Sequence, residues 1–243
     1  MLARQDFFVR YRRESFGFLW AVGLPLMQAV VLAVVFTHII KIHTGTAYPV
    51  FVFSGILPWT FFGTCMGGAS TAIVDGQGLA TKIYFPRAIL PLVTVNATLY
   101  GFVPSVAVLV AMALVLGANV GPAILLLIPG TALIVLLSAA FGLVLSALHV
   151  YFRDVRYVVT AALFAWFYAT PILYPLHLAP HILRRVIELN PVTGCVELFR
   201  ASIGAGDPGW PGTVGVTCIW VAALLTIAVA VHRRFDRLVI DPL

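Results

Sequence analysis

The residues best equipped for chemistry in this sequence are arginines set among aromatic rings. Arg10, Arg12 and Arg13 flank Tyr11, and Tyr151-Phe-Arg-Asp-Val-Arg-Tyr157 puts Arg153 and Arg156 on either side of Asp154. A guanidinium offers a planar fork of donors that fits a phosphate or carboxylate, and aromatic rings settle at the level of lipid headgroups. Such stretches hold lipid phosphate or simply anchor a chain at a membrane surface, and the residues alone leave both readings open. Other chemistry is missing. Cys65, Cys195 and Cys218 are odd in number and share no metal-ligand spacing, so neither a zinc site nor a disulfide frame is expected. The histidines are scattered, and His38 and His149 are expected at span ends with their polar tips at the interface. Stretch 76–82 carries Thr81 where a phosphate-binding loop needs glycine before its lysine, so any ATP must be hydrolysed by another polypeptide. Ser70 lies in Gly68-Ala-Ser-Thr-Ala72, which misses the Gly-x-Ser-x-Gly elbow, and no His-Glu-x-x-His motif occurs. Catalysis by this chain is not expected.

The elements that must position these arginines are membrane spans. Of the 243 residues 61% are hydrophobic and 10% charged, with a mean hydropathy of +1.03. A soluble domain runs at roughly 45–50% apolar and about 25% charged, so this chain cannot wet its own surface. Nearly charge-free apolar runs at 16–40, 48–74, 89–116, 124–150, 158–174 and 214–231 predict six transmembrane helices in an all-α, polytopic membrane protein. The whole chain, 1–243, reads as one transmembrane domain. With the N-terminus inside, eleven of the fifteen basic residues fall in inner segments; Lys41, Arg184, Arg185 and Arg200 fall outside. Both termini are therefore expected in the cytoplasm. The first run is too long for a secretory signal and lacks a small-x-small cleavage pattern near its end, which predicts a retained span. Segment 1–16, with four arginines among Phe7, Phe8, Val9, Tyr11 and Phe16, reads as an interfacial helix or as a basic flank that orients the first span.

Two connections are longer than a turn requires. Loop 75–87 opens on Gly76 and Gly78 and closes on Pro86, leaving room for a short helix at 79–85, a rigid knob on the inner face that a partner could push. A plain polar turn would need only about four or five residues. The outer segment 175–212 is apolar and implies two short helices, 181–189 and 192–203, with Glu197 and Arg200 at i, i+3 spacing as a pair. Backbone that re-enters a bilayer is tolerated only where protein or water covers it, which predicts a path beside this segment. Gly63 and Gly67 make a Gly-x-x-x-Gly pair suited to close helix contact. The spans lack the midplane acids, bases or histidines that hold a coupling proton or sodium ion, so an ion-driven carrier is disfavoured.

Six ordered motifs carry a resemblance over nearly the whole chain: Arg10-Tyr-Arg-Arg-Glu-Ser-Phe-Gly-Phe-Leu-Trp-Ala21, Phe53-Ser-Gly-Ile-Leu-Pro-Trp-Thr-Phe-Phe62, Lys82-Ile-Tyr-Phe-Pro-Arg-Ala-Ile-Leu-Pro91, the 151–157 stretch, Thr170-Pro-Ile-Leu-Tyr-Pro175 and Leu189-Asn-Pro191. The sequence resembles the membrane subunits of ABC-type exporters of O-antigen, capsule, teichoic acid and related lipid-linked glycans, within the ABC type-2 transporters. The resemblance implies a homodimer in the bacterial inner membrane, joined to two copies of an ATP-binding cassette subunit that carries the ATP and Mg2+. No cofactor or metal in this chain and no nucleic-acid partner are expected. It also implies an interface helix at 1–16 and a coupling helix at 79–85, so that Leu79, Lys82, Tyr84, Phe85 and Arg87 would meet the ATPase. Segment 175–204 would hold short re-entrant helices.

Charge and depth then suggest that Arg10, Arg12, Arg13, Arg153 and Arg156 take the lipid pyrophosphate from the inner leaflet. A channel for a sliding polysaccharide needs flat, weakly directional contacts, and Trp20, Trp59, Phe61, Phe62, Phe164, Trp166, Phe167 and Tyr168 are the candidates. Phe164, Phe167 and Tyr168 share one helix face. Each ring equally fits a lipid-facing or interfacial belt. The alternatives are an ABC-type efflux permease for a small hydrophobic drug or lipid and, from a different class, a proton-coupled carrier or a membrane scaffold.

Overall fold

The computed structural model describes residues 19–35, 46–76, 86–118 and 120–238. Among the described residues every regular element is helical: α1 (Leu19–Val35), α2 (Tyr48–Asp75), α3 (Ile89–Val115), α4 (Leu127–Tyr151), α5 (Val155–Ala169), α6 (His181–Glu188), α7 (Thr193–Ser202) and α8 (Trp210–Leu238). A 3-10 turn, Pro122–Leu126, runs straight into α4, and a second, Leu176–Leu178, precedes α6. Four helices, Tyr48–Asp75, Ile89–Val115, Pro122–Tyr151 and Trp210–Arg233, are long and apolar enough to cross a membrane, while α1 and α5 are shorter apolar helices. The interfacial segment 1–16 and the helix expected at 79–85 lie outside the described residues.

Local sequence explains the boundaries. Pro49 sits in the first turn of α2, where its missing N–H costs nothing, and Gly76 caps the far end by donating to the Ala72 carbonyl at 3.0 Å. After α3, Gly117 takes φ +69°, and the Ala118 N–H closes back on the Ala113 carbonyl at 2.9 Å. A side chain at position 117 would strain that left-handed turn. The fifth apolar run departs from expectation: α5 stops at Ala169 rather than continuing to 174. Thr170 precedes Pro171, which disfavours helical dihedrals at 170, and Pro171 has no N–H to continue the ladder. The fifteen residues of α5 span roughly 22 Å, short of the roughly 30 Å hydrocarbon core, and the chain continues as a bent, non-helical stretch through 170–174 in which the Ile172 N–H turns back on the Thr170 carbonyl at 2.7 Å.

The core is built on α2. Its apolar window is 78% buried, against 22% for that of α8, so α2 is the axis and α8 a peripheral helix. It packs on α1, α3, α4, α5 and α7. The close approach between helices uses a different glycine from the one the sequence suggests. A Cβ on Gly142 of α4 would lie 2.9 Å from the Ala69 Cβ, whereas Cβ atoms on Gly63 and Gly67 would meet nothing within 4 Å. The Gly-x-x-x-Gly face is thus unpacked among the described residues. His149, expected with its tip at the interface, is only 4% exposed.

Candidate functional site

Two places combine polar groups with the interior of the bundle: a cleft at mid-depth, and a break in the chain after α5.

The cleft has a volume of about 750 Å3 and lies between α1, α2, α3 and the end of α5. Trp20, Phe61, Phe167 and Tyr168 present rings to it, and Gln28, Thr60, Thr64, Thr98 and Ser105 present neutral polar groups. No carboxylate, amine, guanidinium or imidazole lines it among the described residues. Several hydroxyl protons are committed to the helices that carry them: Thr60 donates to the Leu57 carbonyl at 3.0 Å, Thr98 to Thr94 at 2.9 Å and Ser105 to Gly101 at 3.0 Å. What remains for a visitor is oxygen lone pairs, ring faces, the Gln28 amide and the Thr64 hydroxyl, a neutral set that favours weak, interchangeable contacts with hydroxyl and C–H groups.

The other predicted rings divide into two sets. Trp59 and Phe62 are buried in an aromatic cluster with Phe141 and Trp166; Phe62 meets Phe141 and Trp166 edge-on at 5.6 and 5.4 Å, and Trp59 meets Phe167 at 5.8 Å. Phe61 also meets Phe102 at 4.7 Å with the two rings tilted by 53°. Phe164 is 71% exposed and contacts Tyr168 at 5.7 Å, so the α5 face foreseen from spacing is split: Phe164 points away from the core, while Phe167 packs on Trp59 and, with Tyr168, borders the cleft. Of the arginine candidates, Arg153 and Arg156 are exposed at the turn between α4 and α5, and Arg87 is half-buried before α3. Arg10, Arg12, Arg13, Leu79, Lys82, Tyr84 and Phe85 lie outside the described residues.

The chain break is the part that residue-by-residue reading missed. Where α5 ends, its last carbonyls lose their helical donors, and buried carbonyls need replacements. Asn190 supplies one set. Its amide donates to Thr170 Oγ1 at 2.9 Å and to the Ala169 carbonyl at 3.4 Å, while its Oδ1 accepts from the Trp166 indole and from the Val192 N–H, both at 3.0 Å. Arg200 supplies the next. Its Nη2 donates to the Ile172 carbonyl at 2.9 Å, its Nη1 to the Tyr174 carbonyl at 3.5 Å, and its guanidinium carbon stands 3.9 Å over the Phe51 ring. The Tyr48 hydroxyl donates to the Leu173 carbonyl at 2.7 Å.

Arg200 and Glu197 are each 1% exposed and form an ion pair at 3.0 Å, so the foreseen i, i+3 pair lies wholly in the interior. The second Glu197 oxygen accepts the Asp207 N–H at 2.8 Å, which ties the loop before α8 to α7. Asp207 in turn accepts from Arg184 at 3.1 Å and from the Gly209 N–H at 2.9 Å. The hydrogen bond from Arg184 to Glu188, at 2.8 Å, joins with Asp207 to hold the Arg184 guanidinium above its ordinary pKa. Tyr48, Thr170 and Asn190 were not singled out from their types. The only sequence signal was that Asn190 stands in the Leu-Asn-Pro motif and Thr170 before a proline.

The helix pair α6–α7 is pinned to α8 by the Trp220 indole, which donates to the Leu189 carbonyl at 3.0 Å, and by Thr217 Oγ1, which donates to the Pro191 carbonyl at 2.8 Å. A Cβ on Gly194 would collide with Thr213 and Thr217, so α7 and α8 need glycine there.

Comparison with known proteins agrees with this architecture. The O-antigen export system permease protein RfbA of Myxococcus xanthus is 33% identical over 203 residues, covering 82% of this chain and 77% of that protein. A protein of the same name from Klebsiella pneumoniae is 26% identical over 201 residues, with the same coverage. The polysialic acid transport protein KpsM of Escherichia coli is 24% identical over 228 residues, covering 92% of this chain and 88% of that protein. The family model described as ABC-2 type transporter matches residues 1–203. A helical membrane protein with this motif order, matched over most of its length, belongs to the ABC-2 type transporter family.

Proposed function

We propose that two copies of this chain form the membrane channel of an exporter that carries a lipid-linked polysaccharide outward across the bacterial inner membrane. Two ATP-binding cassette subunits, separate polypeptides holding ATP and Mg2+, would drive it. The observation that carries this reading is the uncharged cleft lined by rings and hydroxyls, in a chain whose relatives are named for O-antigen export and polysialic acid transport. A polymer that must slide is served by contacts that are individually weak and renewed at each sugar, and a charged pocket would instead hold it. Trp20, Phe61, Phe167 and Tyr168 are the proposed channel rings, with Trp59 and Phe62 packed behind them and Phe164 on the open face of α5.

In this reading α1 and α5 complete six crossings, and the excess of arginine near 1–16, 75–87, 151–157 and 232–237 keeps both termini in the cytoplasm. The depth of the α6–α7 connection supports re-entry. Trp220 lies ten residues into α8, so the Leu189 carbonyl that it holds sits about 15 Å below the outer end of that helix. Irregular backbone at that depth is tolerable because Asn190, Thr217 and Trp220 satisfy it. Arg153 and Arg156, together with Arg10, Arg12 and Arg13, would receive the pyrophosphate at the inner leaflet. Leu79, Lys82, Tyr84, Phe85 and Arg87 would meet the ATPase.

Cells lacking the chain should lose the surface glycan and accumulate its lipid-linked form inside, and Phe85→Asp should reproduce that loss with normal amounts of protein in the membrane. Unchanged surface glycan in the deletion strain would sink the proposal. Normal export by Phe85→Asp would remove the coupling assignment alone.

A further inference from the structure

The cleft holds one group that the helices around it leave unused. Gln28 lies near the middle of α1, about 10 Å or more from either end, and is the only residue of that helix besides Trp20 with a hydrogen-bonding side chain. Leu24, Gln28 and Val31 follow one another at i, i+4, i+7 spacing and all line the cleft, so the amide is on the cleft side of α1. Thr60, Thr98 and Ser105 donate to their own helices, whereas the Gln28 amide makes no hydrogen bond among the described residues. An amide without a partner at that depth costs at least what a lost hydrogen bond costs, which calls for a partner that arrives from outside the fold.

The charge pattern narrows what that partner can be. Helices α1 and α3 carry no charged residue, and those of α2 and α5, Asp75 and Arg156, stand at one end of each helix, away from the cleft. A carboxylated sugar in the cleft would therefore meet no counter-charge among the described residues, and an amide donates hydrogen bonds to a carboxylate without neutralising it. A neutral sugar meets no such penalty. Its C–H faces fit the rings of Trp20, Phe61 and Tyr168, and its polar edge fits an amide that offers donor and acceptor side by side.

We infer that the cleft selects a neutral sugar chain and that Gln28 is its specificity-determining residue, its NH2 and C=O engaging a donor and an acceptor that are adjacent on the sugar. A pair of hydroxyls and an acetamido group both supply that pattern. The inference deepens the proposed exporter reading and rests on it. It concerns the sugar chain, not the pyrophosphate end of the lipid-linked molecule.

The test uses the assembled transporter with its ATPase in lipid nanodiscs. The probes are three oligosaccharides of equal length, built of glucose, of N-acetylglucosamine and of galacturonic acid, and equilibrium binding is measured for each. The parent complex should bind at least one neutral probe about tenfold or more tighter than the galacturonate probe. Gln28→Leu, which keeps the bulk and removes the amide, should weaken the neutral probe about five- to tenfold. Whether the glucose or the N-acetylglucosamine probe loses affinity identifies the hydroxyl pair or the acetamido group as the one engaged. Gln28→Lys should reverse the order, binding the galacturonate probe about tenfold tighter than the parent does, an effect that a merely structural residue would not produce. Should Gln28→Lys fail to assemble, the parent and Gln28→Leu decide alone.

Galacturonate binding by the parent as tight as that of both neutral probes overturns the inference. So do neutral affinities that stay within about twofold in Gln28→Leu, an order that Gln28→Lys leaves unchanged, or no binding of any probe. A Gln28→Leu complex that separates into single copies of this chain also overturns it, because the amide then serves a second copy rather than a sugar. The surface glycan of the deletion strain tests the exporter reading separately. Failure here with that glycan lost leaves the exporter standing without this selectivity, and success here with that glycan unchanged does the reverse.

Discussion

The cleft and the clamp lie in the same bundle and are built on opposite principles. The cleft is neutral among the described residues, and its Thr60, Thr98 and Ser105 hydroxyls bond to the helices that carry them rather than joining one element to another. The clamp, the side-chain network that holds the break after α5, has a charged pair 1% exposed at its centre and joins α2, α5, the α6–α7 connection, α7 and the loop into α8 through side chains distant in sequence. A surface meant to be slid over needs many weak and interchangeable contacts. A break in a membrane helix needs a few strong and specific ones, because no solvent can satisfy its carbonyls. The difference teaches where substitution should hurt: stability should be sensitive at the clamp and transport at the cleft.

The largest effect expected is at Glu197. Glu197→Ala leaves the Arg200 guanidinium buried without its counter-charge and frees the Asp207 N–H, and should destabilise the purified protein by about 3–5 kcal/mol, seen as a large drop in thermal midpoint in detergent. A midpoint unchanged within experimental error would mean that the ion pair is not carrying the break. Next is Asn190→Ala, which strands the Trp166 indole and the Thr170 region together and should cost about 2 kcal/mol. Its tryptophan fluorescence should also shift, because the Trp166 N–H loses its partner. The smallest stability change belongs to the cleft. Thr98→Val should alter the midpoint by the equivalent of no more than about 0.5 kcal/mol while lowering the rate of glycan export severalfold. If Thr98→Val destabilises as much as Asn190→Ala, the contrast between the two regions is false.

Much of the architecture is visible in the chain before folding. Several helices described within the predicted runs begin and end close to the boundaries set by proline, glycine and charge, and α6 and α7 fall where the apolar stretches of the outer segment place them. Two runs depart from that: α8 overshoots 214–231, running from Trp210 to Leu238, and the fifth run falls short. Its apolar residues continue to Tyr174, and hydropathy has no term for the missing N–H of Pro171 or for the donors that must replace it. The site was legible to a lesser degree. Aromatic rings could be nominated by type, yet Trp59 and Phe167 differ in placement only because α5 packs Trp166 and Phe167 over Trp59 while leaving Phe167 beside the cleft. Gly63 and Gly142 show the same limit, since a motif states that close contact is permitted and the neighbouring helix decides whether it occurs.

By itself the sequence determined that this protein is built of apolar helices that belong in a bilayer, and it set the expectations for which side each loop prefers and for hydrolysis of ATP by another polypeptide. Those properties follow from summed transfer energies and from which side groups are present at all, and neither sum depends on how the helices meet. Tertiary structure alone decided that Arg200, one basic residue among fifteen, is the buried hub of the break after α5. A guanidinium is tolerated in the interior only where acceptors converge on it. Its acceptors at Ile172, Tyr174 and Glu197, with the Phe51 ring beneath, come together only when α2, α5 and α7 are packed.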